Sequence, residues 1–280
     1  MAWLDCRKGA KRVKALKVEG VYHWGYWVKG LEVSKLQFSL RFPPPTTLIG
    51  AISLPLVKAG YVKNILGEID RNLCSPAKFL SKIFPVATIA LDGYGYYFED
   101  INVYILLHFQ GFQKDRETRQ VRRYLPKFRR GAILNGRVYA PYCRFTVIYM
   151  VNAEKAFDLI GEDWESKIVR GAWEILRIGS KESIVSVEKV SLINVVEEKA
   201  DIVKTKFYFL SNAATPIEFP YFMEKFWVNG FGRGDKPQTV EYTIPGRRNP
   251  VQSRAIRVKL NDAGVAYRLE TGEVVISARA

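Results

Sequence analysis

Residues 42–51 read FPPPTTLIGA, and this stretch decides how the first half of the chain folds. Three consecutive prolines must end the preceding segment, 36–42, where alternating apolar residues predict a half-buried strand. Thr46 or Thr47 can then cap a helix, which Pro55 is expected to kink or end. The stretch therefore predicts a rigid strand-to-helix corner. A structural role is its simplest interpretation, although the helix N-terminus could also receive a phosphate.

Outward from this corner, hydrophobic periodicity predicts strands and helices in a mixed order. Strands are expected at 13–21, 87–91, 102–109, 144–151 and 183–196, and helices at 62–83 and 163–178. The second of these helices should start at Asp163 and place Leu176 on its apolar face. The strands 102–109 and 144–151 are nearly all apolar, which is typical of central strands covered on both faces.

The order strand, helix, strand, strand, helix, strand predicts an α+β fold of the ferredoxin-like, split βαβ type. We expect this domain to span residues 1–198 and to contain a long basic insertion at 110–143. A β-rich C-terminal part should follow at 199–280, where the sequence is rich in turns.

Composition limits the possible functions. The 280 residues include 43 Lys and Arg against 28 Asp and Glu, a net charge of +15. Such an excess favours a polyanionic partner, either nucleic acid or an anionic membrane surface, with a generically basic protein as the alternative. Three cysteines without a CxxC or Cys/His cluster argue against a disulfide framework and a structural zinc site. The absence of a signal-like or membrane-spanning apolar run predicts a cytoplasmic protein.

The strongest chemical signal is the basic insertion, residues 110–143. Its basic residues are Lys114, Arg116, Arg119, Arg122, Arg123, Lys127, Arg129, Arg130 and Arg137, and they are interleaved with Tyr124, Phe128, Tyr139 and Tyr142. Arginines neutralise phosphates and aromatic rings stack on bases, so this combination predicts an RNA-binding arm. A solvated, flexible basic loop is the alternative.

Two smaller features add candidate RNA contacts. In the turn that follows the second helix, Gly179 permits positive φ, and Ser180 and Lys181 could face a phosphate; a simple helix stop is the alternative. His23 lies in an aromatic segment and could act as a general acid or base, and Arg41 directly precedes the proline corner. We therefore include His23, Arg41, Ser180 and Lys181 among the candidate RNA-binding residues.

A first strand, the Phe-Pro-Pro-Pro-Thr-Thr-x-x-Gly-Ala corner and the Gly-Ser-Lys-Glu-Ser turn together resemble the fifth family of Cas proteins. Its members are RAMP-superfamily subunits of type I CRISPR Cascade complexes, and this version is similar to the archaeal type I-A branch. The resemblance, best over 12–195, implies a ferredoxin-like, RRM-related domain that caps the crRNA five-prime handle. It also implies a thumb-like hairpin, which maps to the insertion between Phe109 and Arg144.

The resemblance also implies partners and bears on catalysis. The implied partners are crRNA, the Cascade backbone subunit, the large subunit and, indirectly, target DNA; no membrane, cofactor or metal is expected. Some members of the family cut precursor crRNA with a metal-independent Tyr, Lys and His site. This chain has only His23 and His108 and no match to that site. We therefore expect a non-catalytic subunit, with a metal-independent endoribonuclease as the alternative.

Overall fold

The computed structural model describes residues 13–30, 36–62, 75–105, 112–114, 121–123, 130–229 and 238–279. Its strands are β1 (Val13–Tyr22), β2 (Gly25–Tyr26), β3 (Leu36–Gln37), β4 (Val86–Asp92), β5 (Tyr96–Ile105), β6 (Phe112–Lys114), β7 (Val121–Arg123), β8 (Arg130–Tyr139), β9 (Cys143–Val151), β10 (Val185–Glu198), β11 (Ile202–Thr205), β12 (Phe209–Leu210), β13 (Ala214–Pro216), β14 (Tyr221–Trp227), β15 (Thr239–Arg248), β16 (Val251–Ser253), β17 (Ile256–Leu260), β18 (Gly264–Leu269) and β19 (Val274–Ala278). Its helices are α1 (Pro45–Lys58), α2 (Ala77–Leu80), α3 (Ala153–Ile160) and α4 (Trp164–Trp173).

A six-stranded antiparallel sheet forms the centre of the molecule, with the strand order β19-β18-β10-β1-β9-β4. Leu16 of β1 lies opposite Leu192 of β10 on one side and Tyr149 of β9 on the other. The expected first strand and the buried strand β9 are confirmed, since both supply fully buried side chains such as Leu16 and Tyr149. The chain combines helices and strands in a mixed order, as expected for an α+β protein.

Helices α1 and α4 pack against each other and against this sheet. A Cβ atom at Gly171 of α4 would lie 2.5 Å from Leu56 Cδ2 of α1, so a larger residue there would require the buried Leu56 side chain to shift. The Tyr149 hydroxyl of β9 donates to Leu48 O of α1 at 2.9 Å. These contacts fix α1, and the proline corner before it, relative to the central sheet.

The proline corner differs in detail from the expectation. Pro44, not a threonine, is the N-cap of α1, and Pro45 occupies the first turn, where its missing N–H costs nothing. The helix also continues past Pro55 to Lys58, because Pro55 and Leu56 are buried in the core and packing outweighs the lost hydrogen bond. The preceding strand is shorter than expected, since β3 covers only two residues before the chain bends towards the corner.

The second helix is also shorter than expected. It ends at Trp173, and Asp163 occupies its N-cap position without a side-chain hydrogen bond. Because the chain is no longer helical after Trp173, both Ile175 and Ile178 are buried in the core. Leu176, which was expected to be buried, is 73% exposed. A helix that periodicity did not predict, α3, precedes it and is capped by Asn152, which accepts a hydrogen bond from Lys155 N at 3.1 Å.

The strand expected at 102–109 is present over residues 102–105, but the expectation that it is buried is wrong, and residues 106–109 lie outside the described residues. The strand in this region, β5, starts earlier and pairs with β8 in a separate sheet that also contains β2 and β3. Its apolar residues Ile101 and Val103 are 64% and 63% exposed. The described part of 110–143 is likewise not a loop, because β6 and β7 form a two-stranded sheet and β8 is a ten-residue strand. Pairing β5 with β8 satisfies the backbone groups that a long loop would leave to water.

The C-terminal part is rich in strands, as expected, and adds two small sheets, β11-β17-β13 and β12-β15-β14, with β16 paired to β15. The last two strands, however, return to the central sheet, where β18 pairs with β10. The expected division near residue 198 therefore runs between two regions that share one sheet.

Candidate nucleic-acid interface

The aromatic segment Tyr22–Trp27 forms backbone hydrogen bonds with the end of β8. Gly25 pairs with Tyr139 in the β2–β8 ladder, and Ala140 N donates to Trp24 O at 2.9 Å. Gly25 has a φ of +123°, and a Cβ atom there would lie 2.6 Å from Ala140 N. Glycine is therefore required at this position, both for its left-handed backbone and for the close approach of β8.

The other side of this segment contacts the turn that carries Ser180. Ser180 N donates to Trp27 O at 3.0 Å, and Trp27 N donates to Ser183 Oγ at 3.1 Å. His23 Nε2 lies 2.8 Å from Ser186 Oγ at the start of β10. The segment thus joins the end of β8 to the 179–183 turn, two regions that are far apart in sequence.

Two exposed aromatic side chains, Trp24 and Tyr142, lie in turns next to the paired strands β2 and β8. Tyr22 and Tyr26 are buried in the core, whereas Trp24 between them is 72% exposed. Tyr142 is 78% exposed and has a φ of 53°, the only positive φ of a non-glycine residue in the described part of the chain. Such a backbone is unfavourable for a bulky residue, so the local structure holds the Tyr142 ring outwards at an energetic cost.

Strand β8, which pairs with β2, contributes two more exposed side chains. Arg137 and Tyr139 alternate with the buried Val138, and Tyr139 contacts the exposed Phe98 ring of β5 at a centroid distance of 6.2 Å. We call the combined set the aromatic–basic surface, which consists of His23, Trp24, Arg137, Tyr139, Tyr142 and Lys181.

The 179–183 turn places charge at this surface. The Ser180 hydroxyl is engaged, because it lies 2.8 Å from Glu182 Oε2 and 3.2 Å from Ser183 Oγ. The Ser180 hydrogen bond, followed by weaker effects that include the charges of Lys181 and Arg137, lowers the pKa of Glu182. Arg137 therefore acts on the same turn as Lys181. Lys181 itself is exposed, so it is the member of the turn best placed to meet an anion.

The candidate residues of the basic insertion fall into two groups. Arg122 and Arg123 lie on β7, and Arg130 begins β8, about 20 Å along that strand from Arg137. The remaining candidates, Arg116, Arg119, Lys127 and Arg129, lie outside the described residues.

Arg41 lies apart from the aromatic–basic surface. Its guanidinium stacks on the Tyr97 ring at 3.6 Å from the centroid, and its backbone N donates to both carboxylate oxygens of Glu224 at 3.2 Å. The Tyr26 hydroxyl donates to Arg41 O. These contacts show a positioning role for Arg41, which links the proline corner to β5 and β14.

The half-buried Glu224 should make stability depend on pH. Burial raises the pKa of Glu224 to about 7, against the opposing effects of the Arg41 and Phe42 backbone N–H groups and the charges of Arg41 and Arg248. A raised carboxyl pKa means that the folded state binds the proton more tightly, so this contribution to stability is lost as pH rises from about 4.5 through about 7. We expect the free energy of unfolding of Glu224→Gln, minus that of the wild type, to grow by up to about 3 kcal/mol across this window.

Denaturant unfolding of both proteins at several pH values measures this difference, and Glu241→Gln, an exposed carboxyl on the neighbouring strand β15, is the control. A difference between Glu224→Gln and the wild type that stays constant with pH would contradict the assignment.

Trp24 is the residue of this surface that the sequence pattern does not identify as a site. All three aromatic residues 22, 24 and 26 look alike in the sequence, but only Trp24 is exposed. Its exposure depends on the backbone pairing of this segment with β8. The period-two alternation through residues 22, 24 and 26 is broken at Gly25, which is the one local signal that could have marked Trp24 as exposed.

The described residues contain neither a metal-ligand cluster nor a membrane-spanning helix. No group of three or more His, Cys, Asp or Glu side chains in this part of the chain is arranged to hold a metal ion. No helix within the described ranges is long and apolar enough to cross a membrane.

Comparison with known proteins identifies relatives over most of the chain. Residues 29–259 match the family model described as "CRISPR-associated protein (Cas_Cas5)". The chain is 32% identical over 247 residues to the "CRISPR system aCascade subunit Cas5 1" of Saccharolobus solfataricus, which covers 86% of this chain and 91% of that protein. It is 30% identical over 246 residues to "CRISPR-associated protein Cas5 3" of the same organism, with the same coverage of 86% and 91%.

A solved structure supports the fold. The crystal structure of a CRISPR protein from Archaeoglobus fulgidus aligns with a TM-score of 0.55 at 18% identity, covering 95% of this chain and 100% of that chain. Since the family model and the curated relatives each extend over most of the sequence, the chain belongs to the Cas5 family of CRISPR-associated proteins.

Proposed function

We propose that this protein is an RNA-binding subunit of a CRISPR Cascade complex and that it holds the five-prime handle of the guide RNA on the aromatic–basic surface. The observation that carries the proposal is that backbone hydrogen bonds join the segments that carry the exposed residues Trp24, Tyr139, Tyr142, Arg137 and Lys181. Flat rings offer stacking surfaces for unpaired bases, and the basic side chains neutralise the adjoining phosphates. The name of the curated relative, an aCascade subunit, supports the same assignment.

The proposed framework for this surface is a ferredoxin-like domain. Within the central sheet, the four strands β1, β4, β9 and β10 lie in the order β10-β1-β9-β4, with α1 between the first two in sequence and α4 between the last two. This order and these two helical connections support the ferredoxin-like assignment. We further propose that β5 to β8 form the thumb-like extension, with type I-A as the subtype and the Cascade backbone and large subunits as protein partners.

The test of the RNA site is a double substitution, Trp24→Ala with Arg137→Ala. Loss of one stacking contact and one phosphate contact should weaken binding of labelled repeat RNA by about tenfold to a thousandfold. The matched control is Trp173→Ala with Arg170→Ala, which removes an exposed tryptophan and an exposed arginine from α4 and should change affinity less than twofold. Equal affinities of the two variants would remove this surface from the proposal.

We propose that the protein does not cut RNA. The alternative is a metal-independent endoribonuclease in which His23, hydrogen-bonded to Ser186, acts as the general acid or base. Incubation of repeat RNA with the protein in EDTA separates the two functions. A discrete product that disappears with His23→Ala would establish the enzyme.

A further inference from the structure

A second exposed aromatic stack lies on the C-terminal strands. The rings of Phe219 and Tyr221 are stacked with a centroid distance of 4.9 Å and an interplanar angle of 20°. Phe219 is 80% exposed, whereas Tyr221 is half-buried at the start of β14. Tyr221 therefore supports one face of the Phe219 ring, and the opposite face is free to receive a third flat group.

Two arginines belong to the segment whose backbone pairs with the residues of this stack. Gly246 N, next to Arg247, donates to Pro220 O at 2.9 Å, and Arg254 N donates to Pro245 O at 3.1 Å. Arg247 and Arg254 are exposed, and neither forms an ion pair with another described residue. The neighbouring Arg257 differs, because its Nε lies 2.5 Å from Glu218 Oε1. The stack is thus bordered by positive charge that the described part of the protein leaves uncompensated.

This second stack is connected to the aromatic–basic surface. Gly95 and Val251 exchange two backbone hydrogen bonds of 2.8 Å and 2.6 Å, which join the start of β5 to the β15–β16 hairpin that carries Arg247. The next residue of β5, Tyr96, is 61% exposed and lies opposite Tyr139 of the aromatic–basic surface. Strand β5 therefore links the hairpin that carries Arg247 to the strand that carries Tyr139.

We propose that Phe219, with Arg247 and Arg254, is a second stacking site for single-stranded polynucleotide, which extends the path of a strand held on the aromatic–basic surface. This inference rests on the proposed function in one respect, which is that the strand is the guide RNA held on the aromatic–basic surface. A polynucleotide fits better than a protein partner, because a base needs the flat free face of Phe219 and its phosphates need cations beside that face. A protein partner would have to supply carboxylates at matching positions for both arginines, whereas every nucleotide of a polynucleotide carries a phosphate.

The experiment measures binding of the full-length protein to U20 RNA and T20 DNA at fixed salt. Phe219→Ala should weaken binding of U20 by about fivefold to a hundredfold. Phe219→Trp should preserve or improve it, whereas Phe219→Leu should behave like the alanine variant because stacking, not apolar volume, is required. Comparison of U20 with T20 separates a site that uses the RNA 2′-hydroxyl from one that accepts any single strand.

The control is Phe157→Ala, which removes another exposed phenylalanine, on α3 beside Asp158 and Glu154, and should leave affinity unchanged. If Phe219→Ala and Arg247→Ala/Arg254→Ala bind like the wild type while Trp24→Ala/Arg137→Ala binds poorly, this inference is overturned and the proposed function stands. Loss of affinity only in the Phe219 and Arg247/Arg254 variants would support the second site and remove the first. Unchanged affinity in all of these variants would overturn both.

Discussion

Replacing Arg122, Arg123, Arg130 and Arg137 with alanine is expected to flatten the salt dependence of RNA binding by up to about 3 units. Each phosphate neutralised on a single strand contributes about −0.7 to the slope of log affinity against log salt. Arg122 and Arg123 lie on β7, and Arg130 and Arg137 lie on β8, so the substitutions sample both described parts of the basic insertion that carry candidate residues. The expected loss of affinity at low salt is correspondingly several orders of magnitude.

Affinity for labelled crRNA at several salt concentrations measures this slope. The matched control removes the same charge from exposed positions on other elements, as Lys82→Ala, Lys155→Ala, Arg170→Ala and Lys259→Ala. Thermal melts of both variants check that each remains folded, and the control should melt close to the wild type because its four positions are exposed. A slope that flattens equally in the control would mean that net charge, rather than the insertion, determines RNA binding.

Replacing Gly25 with valine should both destabilise the protein and abolish high-affinity RNA binding. A side chain at φ +123° is strained, and its Cβ atom would collide with the backbone of β8 near Ala140. We expect the free energy of unfolding to fall by about 3 kcal/mol or more. Because the β2–β8 pairing positions Trp24 and Tyr139, we also expect RNA affinity to fall at least tenfold at a temperature where the variant remains folded.

The control for this substitution is Gly50→Ala in α1. A Cβ atom at Gly50 would have no neighbour within 4 Å, and alanine is the better helix former. Gly50→Ala should therefore stabilise the protein by about 0.5–1 kcal/mol without changing RNA affinity. Normal RNA binding by a folded Gly25→Val variant would show that β2 does not position the site.

Local patterns identified the elements that form the centre of the fold. The strand-to-helix corner, the first strand and the nearly all-apolar segment at 144–151 each have a physical cause within a few residues, and each lies close to where the sequence predicts it. The apolar segment at 102–109 has a similar composition, but its described part belongs to β5, which pairs with β8 outside the central sheet. Apolar composition predicts a strand, but it does not determine which strand becomes its neighbour.

The candidate site could be predicted only in part for the same reason. Arg137 and Lys181 are recognisable as cations, and Tyr139 and Tyr142 as aromatic residues among them, from composition alone. Their assembly with Trp24 depends on hydrogen bonds between segments more than 100 residues apart, such as that of Ala140 N with Trp24 O. The stacking of Arg41 on the Tyr97 ring depends in the same way on a residue far away in the sequence, so it could not be predicted from the corner motif.

The position of β1 in the middle of the central sheet has a consequence for the synthesis of this protein. Strand β1 leaves the ribosome first, but its two neighbours are β9 and β10, which begin at Cys143 and Val185. At about 5–20 residues per second, roughly 10–35 s separate the appearance of β1 from that of the complete β10. During this interval an apolar strand with two unsatisfied edges is available for wrong pairing. Nascent chains of this protein should therefore depend on chaperones, and folding of the released chain should be slow because its central contacts are so distant in sequence.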